Sequence, residues 1–147
     1  MTLEVVLRYR TRRPWAPGPA SLRRWALLAA GGRKGELGIR VVGSGESRAL
    51  NARWRGRDRP TNVLSFPSGE QDYLGDVAIA HGVVVREAHE QGKSLAQHAA
   101  HLTIHGILHL LGHDHVADDD AEAMEGLEVR LLARMGIGDP YERRKAA

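Results

Sequence analysis

Six of the chain's eight histidines fall between His98 and His115, in the run HAAHLTIHGILHLLGHDH. Imidazole binds metals and moves protons near neutral pH, so the spacing decides which chemistry is available. Ser94 followed by Gln97 is a capping-box signature and predicts a helix from there to about Leu111, ended by Gly112. On that helix His98, His101, His105 and His109 recur at three- and four-residue steps along one stripe. They cannot all hold one ion, because His101 to His109 spans about 12 Å of helix and a zinc–nitrogen bond is only about 2.0–2.1 Å long. One adjacent pair can converge. His105 and His109 have the best supplement, since Gly112 lets the chain double back and bring in His115. The pattern H-x3-H-x2-G-x2-H predicts three neutral imidazoles around a metal with an open fourth position, the shell of a catalytic zinc site. The plain alternative is a histidine-rich helix face without metal, which a lone pair would favour and three ligands with the turn glycine do not. His98 and His101 are expected at the surface or rim. His113 and Asp114 lie in the turn, where either can orient a ligand.

The same spacing matches the metzincin signature H-E-x-x-H-x-x-G-x-x-H, with one departure. Where that signature has its general base, Glu, this chain has Gly106. A peptidase built on that base would lack its proton acceptor, so the metal geometry is expected to serve different chemistry.

A second constellation is WRGRDRPTNVLSFP, residues 54–67. Arg53, Arg55, Arg57 and Arg59 alternate ahead of an apolar run, so alternate side chains can project to one side. A guanidinium matches phosphate oxygens bidentately and stays charged at any working pH. A solvated charged loop is the competing reading. Asn62 and Ser65 are read as cleft-edge polar groups or simple strand-face residues. Asp76, inside an apolar strand, is either a satisfied buried carboxylate or a site residue.

These residues need a scaffold, and 147 residues suit one domain able to bury a core. Residues 3–9, 36–43, 62–66 and 74–80 read as strands; 20–30, 44–54, 82–91, 94–111 and 118–135 read as helices. The fold expected is α+β: one mixed four-stranded sheet packed with about five helices, its strand order not readable. Residues 1–138 are taken as the domain and 139–147 as a flexible tail. There is no Cys, which excludes disulfides and thiolate ligands. No signal peptide or membrane span is visible, and a cytoplasmic protein is expected. The net charge of +3 gathers as arginines at Arg8–Arg13, Arg23–Arg24 and Arg53–Arg59, against acids at Asp118–Glu128, a weak pointer to a polyanion. One Phe, three Trp and three Tyr form no ribonucleoprotein-type aromatic platform, so base stacking is not expected to dominate.

HGILHLLGHDH at 105–115, RGRDRPTNVLSFP at 55–67 and LGDVAIA at 74–80 together resemble the YbeY family of bacterial endoribonucleases. The later run through Asp114, His115, Asp118, Met124, Glu125 and Glu128 is similar to that family too, and the segments come in its order over residues 50–130. His113 stands where the family often has Tyr. The resemblance implies a zinc-dependent, single-strand-specific endoribonuclease that matures ribosomal RNA, notably the small-subunit 3′ end, and takes part in ribosome quality control. It implies His105, His109 and His115 as zinc ligands, one ion per chain. Arg55 would lie in the catalytic cleft, so that Arg55 and His105 carry the reaction. Expected partners are single-stranded ribosomal RNA and the ribosome or its proteins, with no DNA and no membrane. The general base stays open among Asp76, Asp114, hydroxide from the zinc site and the RNA 2′-OH. Two competing readings are a non-enzymatic ribosome-assembly factor with structural zinc, and a zinc hydrolase of another substrate class.

Overall fold

Residues 3–11, 17–113 and 118–141 are described by the structure, a computed structural model. Along the chain come β1 (Leu3–Tyr9), α1 (Pro19–Ala30), β2 (Gly35–Val42), α2 (Ser44–Arg55), β3 (Val63–Pro67) and β4 (Tyr73–Ala80). Three helices close the order: α3 (His81–Gln91), α4 (Leu95–Leu110) and α5 (Asp118–Ala133). The strands form one mixed sheet in the order β1-β2-β4-β3. β1, β2 and β4 run parallel, while β3 returns antiparallel to β4 and forms an edge. The expected α+β architecture is the one observed. No described helix is long and apolar enough to cross a membrane.

Alternation within the strands gives the sheet two unlike faces. On the core face Leu37, Ile39, Val77 and Ile79 meet Ile104, Ile107 and Leu108 of α4, in one cluster with Leu22 and Ala26 of α1. Burying each large aliphatic side chain is worth about 1.5–3 kcal/mol, so this contact places α4 on the sheet. Helix α5 adds Met124, Leu131 and Leu132 to the same cluster. The other face carries Glu4, Val6, Arg8, Gly38, Arg40 and Asp76, a mixed polar surface.

Helix α4 begins as its cap predicts. Ser94 adopts an extended backbone and its hydroxyl accepts from the Gln97 N–H at 3.1 Å. Its end is set by Gly112 at φ +102°, whose N–H reaches the His109 carbonyl while the His113 N–H reaches Leu108. Ser47 and Asn51 of α2 grip the loop that follows it: Ser47 Oγ donates to the Thr61 carbonyl at 2.7 Å, and Asn51 Nδ2 to the Arg59 carbonyl at 2.8 Å.

The middle of α4 touches the sheet where it carries Gly106. A Cβ there would stand 2.7 Å from Val63 Cγ2 and 3.1 Å from Val77 Cγ1, and both valines are stiff at χ1. Ser65 Oγ ties the same point by donating to the Gly106 carbonyl at 2.6 Å. Gly106→Ala gains about 1 kcal/mol of helix propensity but overpacks at about 1–3 kcal/mol. A net loss near 1 kcal/mol is expected, read as a lower urea midpoint with unchanged m. A raised midpoint would show that α4 has room to lift.

Candidate metal and phosphate cleft

Between α4 and β3 lies a cleft of ≈ 400 Å³ whose walls include Arg55, Asn62, Ser65, His101, His105 and His109. Two of the three expected metal ligands and the expected arginine thus share one cavity. His115, the third ligand, and Asp114 lie outside the described residues. Among the described residues no group of three or more carboxylate or imidazole ligands is placed to hold an ion.

His105 and His109 are one turn apart on α4, and each has a fixed tautomer. His105 Nδ1 is 3.1 Å from Glu128 Oε1, and His109 Nδ1 is 3.0 Å from the His113 carbonyl. An ionised carboxylate and a carbonyl only accept, so both rings donate from Nδ1, and whenever a ring is neutral its lone pair lies on Nε2. That is the form in which imidazole binds a metal, oriented by an outer hydrogen bond. His113 serves through its main chain, which makes its side-chain identity indifferent to this bond.

Glu128, noted in the sequence only as part of the family-like run, was given no role there. It is fully buried on α5. His101 Nε2 donates to it at 2.8 Å, and the Tyr141 hydroxyl reaches its two oxygens at 3.0 and 3.1 Å. Burial pushes its carboxyl pKa up, but the hydrogen bonds and charges of His101 and His105 outweigh that and hold it at about 2. A signal was present: Met124, Glu128, Leu131 and Leu132 share the apolar stripe of α5, and an acid on a buried stripe needs partners. Tyr141 joins the site from the segment after α5. Residues 139–141 fold back onto α4 and α5, with the Tyr141 N–H bonded to Asp139 Oδ1 at 2.8 Å; residues 142–147 lie outside the described residues.

His98 is corrected from surface or rim to interior, while His101, partly buried, lines the cleft as a rim residue. His98 is 4% exposed and donates through Nε2 to Glu87 at 3.0 Å, and Asn62 Nδ2 donates to the same carboxylate at 3.1 Å. Burial raises the Glu87 pKa, but the His98 and Asn62 hydrogen bonds prevail and lower it. The stripe they occupy runs under α3 and α5 rather than along solvent, which spacing on one helix does not reveal.

The arginine row is also reshaped. Arg53 and Arg55 lie in the last turn of α2, so the four arginines do not alternate along an extended segment. Arg48 takes Asp58 through two bonds of 2.7 and 3.0 Å, bracing the loop. Among the described residues Arg55 makes no ion pair, and it borders the cleft. Asp76 drops out as a base: it sits on the opposite face of the sheet beside Gly38, where it accepts from the Tyr73 hydroxyl.

A mixed sheet carrying an oriented His-x3-His pair on its central helix, with an arginine at the cleft mouth, defines an α+β hydrolase-type site suited to a phosphorylated substrate. The family model described as Endoribonuclease YbeY matches residues 24–136. The chain belongs to the endoribonuclease YbeY family. It is 56% identical to the Endoribonuclease YbeY of Alkalilimnicola ehrlichii over 136 residues, 85% of this chain and 82% of that one. The Stenotrophomonas maltophilia K279a protein of the same name is 49% identical over 150 residues, covering 95% and 93%. Among solved structures, TM1509 from Thermotoga maritima aligns with a TM-score of 0.58 at 25% identity, over 88% of this chain and 91% of that one.

The far-face pair gives a test of which groups belong to the site. Burial, then the hydrogen bond and charge of Asp76, push the Tyr73 phenol up to about 12. Its folded pKa lies above the unfolded value near ~10, so its contribution to stability is complete below that pH and is lost as pH rises through about 12. Asp76→Asn should lower the Tyr73 transition at 295 nm only part of the way, since burial, the larger cause, remains, and leave RNA cleavage at the wild-type rate. Loss of cleavage with an unchanged melting curve would return Asp76 to the site.

Proposed function

We propose that this protein is a zinc-dependent endoribonuclease that cleaves single-stranded RNA during ribosomal RNA processing. Its proposed task is maturing the small-subunit 3′ end and supporting ribosome quality control in the cytoplasm, in association with the ribosome or its proteins. The observation that carries the reading is the meeting of Arg55 with the Nδ1-anchored His105 and His109 in one cleft. The names of the relatives support RNA as substrate.

The donor set fits zinc. Two imidazoles anchored through Nδ1 stand one turn apart, and the chain leaves the helix at Gly112 with a positive φ, three positions before His115 in the sequence. His105, His109 and His115 would hold the ion, one per chain. Zinc bound there supplies Lewis acidity toward a phosphate oxygen and a means of activating water near neutral pH.

The protein's own groups do the rest. Arg55 offers a fork of N–H donors to the non-bridging oxygens, where negative charge grows as the phosphorus is attacked, and stabilises that charge in place. Glu128 and the His113 carbonyl keep the rings from turning, so no reorientation is needed at the moment of reaction. The Ser65–Gly106 tie holds the cleft floor to the edge strand. No side chain at position 106 acts as a base, because helix and sheet approach too closely there for one.

His109→Ala should lose both zinc and cleavage of a single-stranded ribosomal RNA 3′-end substrate. Arg55→Ala should keep zinc and lower kcat by about 10²–10³-fold, the usual effect of removing one donor to a developing oxyanion. Equal cleavage by wild type and both variants would assign the activity to a contaminant and leave a ribosome-assembly role in its place.

A further inference from the structure

Trp54 is out of place for a large apolar side chain: it is 61% exposed, on the last turn of α2. The ring is nonetheless held. Phe66 of β3 meets it edge-on at 6.0 Å between centroids and 65° between planes, and the Arg53 guanidinium lies 5.3 Å from the ring centroid. An exposed aromatic braced on one side and polarised by a cation presents a prepared surface rather than a stray hydrophobe.

Its neighbours say what that surface faces. Arg55 is the next residue and borders the cleft, while along β3 Ser65 donates into α4 from the cleft wall and Phe66, the following residue, turns to the opposite face of the sheet, the one that carries Asp76. Successive residues of a helix diverge by about 100°, at 3.6 per turn, so the ring lies around the β3 edge from the cleft, against Phe66 and one residue from the arginine that borders the cleft. Arg53 lies against the ring, Arg55 follows it in the chain, and Arg57 and Arg59 of the loop after α2 are exposed as they are. A protein partner's apolar anchor would gain little from four guanidinium groups, whereas a nucleic-acid strand brings phosphates for them and a π-face for the ring.

We propose that Trp54, braced by Phe66 and Arg53, is a stacking platform for one nucleobase of single-stranded RNA, flanking the bond presented to Arg55. The proposal rests on the endoribonuclease reading above and adds to it a contact to a base where that reading has contacts only to phosphate. Stacking accepts any base, so the platform gives selection for an unpaired strand without sequence preference: a base held in a duplex has no free face to offer. The low aromatic count did not suggest this, because one well-placed ring suffices and composition does not report placement.

The test uses the zinc-loaded full chain and a single-stranded oligoribonucleotide with a non-cleavable linkage at the scission point, together with versions carrying one abasic nucleotide at each flanking position. Trp54→Ala is expected to weaken binding by about 5- to 150-fold, the span of one base–aromatic stack, and Trp54→Phe to restore most of it. One abasic position should weaken wild type by a similar factor and leave Trp54→Ala unaffected, and indole emission should be quenched on binding in wild type and not in Trp54→Phe. Trp15 and the buried Trp25 are present in both proteins, so the quenching is read as the difference between wild type and Trp54→Phe. Equal affinity of Trp54→Ala and wild type overturns the platform, as does an equal loss on every abasic oligonucleotide. Unchanged RNA affinity with lost binding to ribosomal protein would make Trp54 a protein contact and overturn it too. Wild type that neither binds nor cuts RNA would instead remove the endoribonuclease reading itself.

Discussion

A fully buried carboxylate is the constraint on which the site depends. Glu128 has no exposure to water, and taking such a charge out of water costs several kcal/mol unless its oxygens are satisfied. Three donors satisfy them: His101, His105 and Tyr141. The bonds join α4, α5 and the segment after α5, so the energetic need of one side chain gathers three parts of the chain. The same bonds choose the His105 tautomer. Stability and ligand geometry therefore come from a single interaction.

The second constraint is the distance between α4 and the sheet. Gly106 lets the helix rest against Val63 and Val77, and that approach brings His105 and His109 level with the edge strand and with Arg55 beyond it. It also accounts for the departure from the metzincin pattern. A glutamate in this position would have to displace two valine side chains, so the close packing that builds the cleft removes the peptidase base. Charge stabilisation by arginine then takes the weight that proton abstraction carries in the other arrangement.

What the chain revealed before its structure followed the range of the interactions. Ser94 and Gly112 were readable because caps are local, and the His105–His109 pair because one helix carries both. The four strands were readable from alternation, but their order was not, since it depends on which edges pair. Glu128 went unread because its histidines lie 23 and 27 residues away on another helix. His98 was misjudged for the same reason: Glu87, 11 residues earlier on α3, is what makes its burial tolerable. Arg53 already fell within the helix read over 44–54, and Arg55 was left outside it because the end of α2 is polar and lacks the apolar stripe that marks a helix. Ser47 and Asn51, its buried residues, hold a loop rather than a core.

Zinc affinity of Glu128→Gln, measured by chelator competition beside wild type, probes the link between the buried carboxylate and the site most directly. Glutamine keeps the volume and one acceptor but gives up the charge that holds His101 and His105. Affinity should fall by about 10- to 100-fold, as for other groups that orient a metal-binding histidine, with cleavage falling in parallel at limiting zinc and the fold intact by circular dichroism. Wild-type zinc affinity in a folded Glu128→Gln protein would contradict it, and would mean that the His105 geometry is set without Glu128.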